Sequence, residues 1–394
     1  VNNITVRNCQ FNGVYNKPIH QVGRAQDITY DNLVINGSLV LQQKPYKHYS
    51  EWLTYSEMKR VPESYMLDFA TKPKWSYVMG IELEGMLDTY LRYGGEDIRK
   101  YCQMYTDKMI DQQGNITGYN ILDYNLDNIR TGHFVTRMYQ QWPEAKNLLA
   151  MKLMMKQLQE QPRTIADKVY WHKAIYAYQV WLDGIFMGLP FRCLTAPITE
   201  KVPAAKGKKA KKAVDPVIAI YDDAVNQLKI TYERTLDPKT GLNRHAYDET
   251  RKTFWADKQT GLSQHCWGRA QGWYTMALIE VLDALPDDYA RKQEVIELLV
   301  KDFDAILKWQ DKKSGVWYQV MDSPDREGNY LESTATALIG YAMMKGVNRG
   351  ILGEDAKAAV LKAWNALNRD FLKENTDGTV SLTRCCSVAG LSAV

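Results

Sequence analysis

Paired cysteines, metal-ligand spacings and long apolar runs are all missing from this 394-residue chain. The six cysteines, Cys9, Cys102, Cys193, Cys266, Cys385 and Cys386, form no Cys-x-x-Cys pair, and none clusters with histidine at zinc spacing. A disulfide framework and a structural metal are therefore not implied. Free core thiols are the default, and only the adjacent Cys385 and Cys386 leave a redox reading open. No stretch of about 18 apolar residues occurs, so no membrane-spanning helix is expected. The opening residues, VNNITVRNCQ, carry neither the basic nor the apolar region of a leader peptide, which by itself does not decide between a periplasmic and a cytoplasmic location. Charge of one sign is scarce too, outside a single segment. The net +4 rests on residues 201–212, which hold six lysines and no acid, so the remainder is slightly acidic. A nucleic-acid footprint spreads over a structured face. Neither nucleic acid nor membrane is an expected partner, and 201–212 reads as a solvated loop.

What is present falls into two unlike parts. Residues 1–45 contain short β-rich phrases punctuated by Asn and Gly, the residues of turns and left-handed positions. NNITVRNCQFNG and AQDITYDNLVING repeat at a spacing of roughly 24 residues, the self-similarity of stacked solenoid coils. These phrases resemble the last coils of a pectin-lyase-like right-handed parallel β-helix, as at the C-terminus of polygalacturonase-type glycosidases. Two coils are too few to stand alone, since about three or more are needed. They are expected to pack on the next domain or to be the remnant of a larger upstream module. Their only histidine is His20, and no active site is expected there.

From residue 46 to 394 helical periodicity takes over. About eleven amphipathic segments follow one another, joined mostly by short loops, and short connections make consecutive helices antiparallel hairpins. Such a series is either a superhelix or a closed ring of six pairs, and no fixed repeat motif is visible to favour the former. The ring, an (α/α)6 barrel, needs twelve helices. The segment YWHKAIYAYQVWLDGIFMGLPF, residues 170–191, reads as one aromatic helix carrying a carboxylate, Asp183. On such a helix Asp183 shares a face with Gln179, Val180, Phe186 and Met187, so desolvation is expected to raise its pKa and suit it to proton donation. A capping or salt-bridged aspartate is the plainer alternative.

WHKAIYAYQVWLDGIFMGLPF, GLNRHAYDE, HCWGRAQGWYTMALIEVLDALP, GVWYQV and NYLESTATALIGYA, in that order, resemble glycoside hydrolase family 105, the unsaturated rhamnogalacturonyl hydrolases, from about Ser50 to the C-terminus. The resemblance implies an (α/α)6 barrel with residues 201–212 as an insertion, and a chain end short of the family's usual C-terminal segment. It implies Asp183 as general acid/base and Asp127, in DYNLDNIRTG, as the second essential carboxylate. It further implies His172, His245, Arg269, Trp273, Trp267 and, more loosely, Tyr77 or Trp75 as substrate-pocket residues. Each has a structural counterpart: a helix-capping acid for Asp127, satisfied core histidines, and packing roles for Arg269 and the tryptophans. Asp127 near a helix start is stabilised as an anion by roughly 0.3–1 kcal/mol.

The implied substrate is a small oligosaccharide left by a polysaccharide lyase, ending in a 4,5-unsaturated uronic acid, with rhamnose as the expected leaving sugar. No metal or other cofactor is implied. The alternatives are an unsaturated glucuronyl hydrolase acting on ulvan or glycosaminoglycan disaccharides, a conventional inverting (α/α)6 glycosidase, an isomerase, and a non-enzymatic carbohydrate-binding module.

Overall fold

The computed structural model describes residues 2–13, 26–31, 33–36, 38–40, 46–200 and 215–391. His20 and the lysine-rich segment 201–212 lie outside them. The N-terminal strands are β1 (Asn2–Arg7), β2 (Gln10–Phe11), β3 (Gln26–Asp31), β4 (Leu33–Ile35) and β5 (Ser38–Val40). β1 pairs in parallel with β3, Ile4 opposite Ile28, and β2 with β4, Gln10 opposite Val34. Both pairs have the 24-residue offset of the sequence repeat, and β5 closes the edge antiparallel to β4.

The helices follow as α1 (Tyr49–Arg60), α2 (Tyr77–Tyr93), α3 (Glu96–Met109), α4 (Asp127–Gln141) and α5 (Ala145–Glu160). A strand β6 (Gln179–Trp181) leads into α6 (Leu182–Thr199), and α7 (Pro216–Thr235) is followed by β7 (Ala246–Asp248). Then come α8 (Gly268–Ala284), α9 (Lys292–Lys308), α10 (Ser333–Asn348), α11 (Glu354–Ala366), β8 (Leu372–Glu374) and β9 (Val380–Leu382). One boundary differs from the sequence reading. Residues 170–181 are loop, a 3-10 turn and strand, so the aromatic segment is helical only from Leu182.

α2, α4, α6, α8 and α10 pack successively on one another as an inner layer, and α3, α5, α7, α9 and α11 back them from outside. Burial follows that division. Every residue of α8 from Gly268 to Leu282 is buried, whereas α11 buries only four. Among the described residues, α11 leads not into a twelfth helix but into the β8–β9 hairpin, which docks on α1: Val380 N donates to Ser56 Oγ at 2.9 Å and Trp52 Nε1 to the Gly378 carbonyl at 2.9 Å. No described helix is long and apolar enough to cross a membrane. All six cysteines are free.

A short repeat does exist, in the turns between helices. DPKTGL (237–242), DKQTGL (257–262) and DKKSGV (311–316) fold alike. In each, the Asp side chain accepts from the hydroxyl three residues on, the glycine N–H returns to the Asp carbonyl, and the Asp N–H reaches the residue after the glycine. The glycines sit at φ +76°, +82° and +84°, which disfavours any side chain.

Beneath one end of the inner layer the lumen is plugged by charge and rings. Arg130, 2% exposed, bonds Glu280 at 2.6 Å and Glu84 at 2.7 Å and lies 4.1 Å over the Phe186 ring. Burial alone would raise the Glu84 carboxyl, but His133 and Arg130 hold it well below the usual carboxylate range. Arg130→Ala leaves two buried carboxylates short of a partner. It is expected to lower stability by about 3–5 kcal/mol, read as a shifted midpoint in denaturant unfolding.

Candidate active site

The inner helices all begin at the same mouth. Tyr77 is the first residue of α2, Asp127 the first of α4, Asp183 the second of α6 and Arg269 the second of α8, while Glu332 caps α10. Aligned helix starts place positive dipole ends around one opening, which favours anions there.

Asp183 and His245 meet through a strand pair. β6 and β7 are antiparallel with Trp181 opposite Ala246, and Leu182 N donates to the His245 carbonyl at 3.1 Å. One step further on, His245 Nε2 lies 2.9 Å from Asp183 Oδ2. The DPKTGL turn delivers His245 to this point. Gly184 is required next to the acid: a Cβ there would lie 2.8 Å from His172 Nδ1. Burial acts to raise the Asp183 carboxyl, but the charge and hydrogen bond of His245 and the charge of His172 outweigh it. The carboxyl titrates below its ordinary 3.8.

Asp127 is partnered differently. Its Oδ2 is 2.5 Å from Lys173 Nζ and its Oδ1 is 3.6 Å from His172 Nε2. Leu126 N donates to the His172 carbonyl at 3.1 Å, fixing this loop on the start of α4. Burial lowers the His172 pKa, so its ring is neutral at pH 7, and its Nδ1 has no hydrogen-bond partner among the described residues. Trp181 stacks on His172 (centroids 5.0 Å, 19° between planes) and on Tyr176 (5.0 Å, 0°), making an aromatic wall beside both acids.

The opposite wall is α8. Arg269 lies 4.7 Å over the Trp267 ring, and Trp267 in turn sits 4.8 Å from the His245 ring. Arg269 is 9% exposed, with no carboxylate at salt-bridge distance among the described residues; its Nη2 donates to the Ser387 carbonyl at 3.3 Å and its Nη1 to that of Cys386. The buried Trp267 Nε1 likewise has no partner among the described residues. Trp273 forms the floor, stacked on Phe186 at 5.0 Å and edge-on to Tyr77 at 6.4 Å. The Tyr77 phenol is pushed up to about 12, chiefly by burial and then by the charge of Asp127, with Arg269 acting to lower it and Asp183 to raise it, which places Tyr77 among all three. Trp75, the looser alternative, is a core residue whose indole donates to the Asn128 carbonyl at 2.8 Å. No group of three or more His, Cys, Asp or Glu among the described residues is placed to hold a metal.

Against known sequences, the profile of Glycosyl Hydrolase Family 88 matches residues 49–393. The chain belongs to that family. It is therefore a glycoside hydrolase. A Clostridium acetobutylicum glycoside hydrolase from family 105 has the same fold at a TM-score of 0.77 and 34% identity, covering 87% of this chain and 89% of that one. Protein Atu3128 of Agrobacterium fabrum is 38% identical over 176 residues, 44% of this chain and 74% of its own length. The unsaturated rhamnogalacturonyl hydrolase YesR of Bacillus subtilis is 20% identical over 289 residues, 72% of this chain and 73% of its own.

In this family 88 hydrolase, two expectations about Asp183 are corrected. It sits in the first turn of its helix, so Gln179 and Val180 belong to β6 and share no helical face with it. Its pKa is depressed, because a histidine 62 residues away supplies a charge and a hydrogen bond that local sequence does not show. Three contributors escaped sequence reasoning: Lys173, Tyr176 and the C-terminal stretch that meets Arg269. The first two lie inside the WHKAIY phrase, where adjacency to His172 was the available signal.

A depressed carboxylate pKa stabilises the fold above its ordinary value of 3.8, and the contribution is lost as pH falls through the folded value. His245→Gln removes the imidazole that bonds the Asp183 carboxylate and leaves the burial. It is expected to cost about 1–3 kcal/mol near neutral pH, with the gap from wild type narrowing below pH 3.8 in unfolding curves recorded across pH.

Proposed function

We propose that the chain hydrolyses saccharides ending in a 4,5-unsaturated uronic acid by hydrating the double bond, with Asp183 as general acid/base. The observation that carries this is Arg269: a buried guanidinium without a carboxylate partner among the described residues, on the wall facing a histidine-bound acid. A planar guanidinium suits bidentate capture of a carboxylate, and a uronate supplies one. The likeness to YesR, an unsaturated rhamnogalacturonyl hydrolase, supports the same substrate class.

The unsaturated end is a vinyl ether, which accepts a proton at C4 instead of at the glycosidic oxygen. Asp183 is ionised in the free site and gains its proton as the substrate enters. Expelling water and bringing in a uronate both favour the neutral carboxyl, and the His245–Asp183 hydrogen bond gives the proton a path. Transfer to C4 leaves an oxocarbenium centre at C5. The Asp183 carboxylate then takes a proton from water as its oxygen bonds to C5, and the hemiketal opens to release the next sugar. Asp127, held in place by Lys173, holds the uronyl ring and offsets the developing positive charge. Trp181, Tyr176, Trp267 and Trp273 offer ring faces to the sugar.

A pectic substrate with rhamnose leaving is the specific form of this reading. Its support is the N-terminal pair of parallel strand ladders, offset by 24 residues, as expected of a remnant β-helix of the pectinase kind forming its own unit over residues 1–45 ahead of the barrel at 46–394.

Wild-type protein is expected to abolish the ultraviolet absorbance of an unsaturated disaccharide and to leave its saturated counterpart intact. Asp183→Asn should lose about 10²–10⁴-fold in rate with the native circular dichroism spectrum retained; full turnover by that variant excludes the assignment. Arg269→Ala should raise KM about 10–100-fold for the uronide and leave KM for a carboxyl-reduced analogue nearly unchanged, as measured by initial rates.

A further inference from the structure

We infer that Glu332 is a positioning residue that sets Arg269 through one residue of the C-terminal strap. The inference rests on the reading of Arg269 as the carboxylate-binding group. Helices are usually capped by Ser, Thr, Asp or Asn, whose short side chains reach only the first turn. Glu332 caps α10 with a longer one. Its oxygens accept from Thr334 N at 3.1 Å, from Thr334 Oγ1 at 2.8 and 2.9 Å and from Ala335 N at 2.6 Å. The same Oε1 also accepts from the backbone N–H of Cys386 at 2.8 Å, a contact 54 positions distant that capping does not require. The carboxylate is completely buried.

Cys386 passes the constraint on. Its N–H is held by Glu332, its carbonyl and that of Ser387 accept from Arg269, and its Sγ accepts from Gln319 Nε2 at 3.4 Å. Ser333 fastens the preceding residues, its Oγ donating to the Thr383 carbonyl at 2.7 Å and its N–H to the Arg384 carbonyl at 3.2 Å. Beyond Arg269 the strap is anchored again by Leu391, packed on Ala246, Trp255 and Ala256. An arginine has five N–H donors. The strap engages one on each terminal nitrogen, Thr334 Oγ1 accepts from Nη1 at 3.5 Å, and Trp267 fixes the plane of the fork. The remaining donors are thereby aimed, and the guanidinium is held in one orientation by groups that do not neutralise it. Glu332 touches neither Arg269 nor the reacting atoms. Its effect runs through where Cys386 sits and, over a longer contact, through Thr334 Oγ1, which it holds and which accepts from Arg269 Nη1 at 3.5 Å.

Glu332→Asp separates this role from helix capping, because aspartate is a good cap but is one methylene too short to reach Cys386. Two measurements read it in the full chain: the ¹⁵N–¹H resonance of the Arg269 Nε group, assigned by its disappearance in Arg269→Lys, and KM for an unsaturated uronyl disaccharide beside its carboxyl-reduced analogue. The expected result is a shifted Arg269 resonance, with KM raised about tenfold for the charged substrate, little change for the reduced one, and kcat and melting temperature near wild type. An Arg269 resonance that stays in place overturns the inference, as does an equal KM increase for both substrates. Should wild-type protein turn over neither substrate, the functional reading fails, while the resonance still decides whether Glu332 positions Arg269.

Discussion

Five inner helices that start at one mouth impose the constraint from which the rest follows. An antiparallel hairpin series alternates its helices between inside and outside, so every inner helix runs the same way and their N-terminal ends converge. Each of those ends leaves N–H groups without an intrahelical partner and a partial positive charge. Tyr77, Asp127, Asp183, Arg269 and Glu332 occupy these starts, each within one residue of its helix boundary. The fold thus supplies a common field and five rigid anchors before any side chain is chosen.

Those anchors need a stiff support below, and the lumen supplies it. Trp273 stacks on Phe186, and Phe186 takes the Arg130 guanidinium on its other contacts. Arg130 in turn bridges α2, α4 and α8 through Glu84 and Glu280. A buried ion pair is weak evidence for net stability, but breaking one is costly. That asymmetry makes the cluster a register device: three inner helices must meet at one height for its charges to be satisfied, and the residues at their starts are then level with one another.

Sequence reasoning reached much of this and failed in a consistent way. The helices from α1 to α11, the antiparallel hairpins and the 24-residue offset of the N-terminal strands were readable because each depends on local period and turn chemistry. Of the eight candidate site residues, Asp183 was singled out from its neighbours and the others mainly by resemblance, and contacts of His172, His245 and Tyr77 bring them near one another. Residues 170–181 were misread because an aromatic run has no clear period of its own. Tyr178 at φ +63° and the pairing of β6 with β7 override any helical preference there. The D-x-x-T/S-G turns went unrecognised because they recur at irregular intervals, as loops do. Asp183 was assigned the wrong direction of shift because its strongest neighbour is 62 residues away. Long-range partners set electrostatics, and a single sequence holds no record of them.

The two acids are held by unlike partners, and that difference bears on the chemistry proposed above. Asp127 faces a lysine ammonium, which can only donate, and Asp183 faces an imidazole nitrogen, which can donate or accept according to its tautomer. In a conventional glycosidase both acids must act in turn on one bond, one protonating the leaving oxygen while the other attacks or activates water. A lysine-bound carboxylate is less suited to the second of those tasks, because one of its oxygens is already held by the ammonium. Hydration of a vinyl ether asks less of the pair. One carboxyl delivers a proton to carbon and recovers one from water, and the other has only to remain an anion beside a developing cation. The partners recorded for Asp127 and Asp183 favour that division over the two-acid alternative, and they do so independently of any likeness to known enzymes.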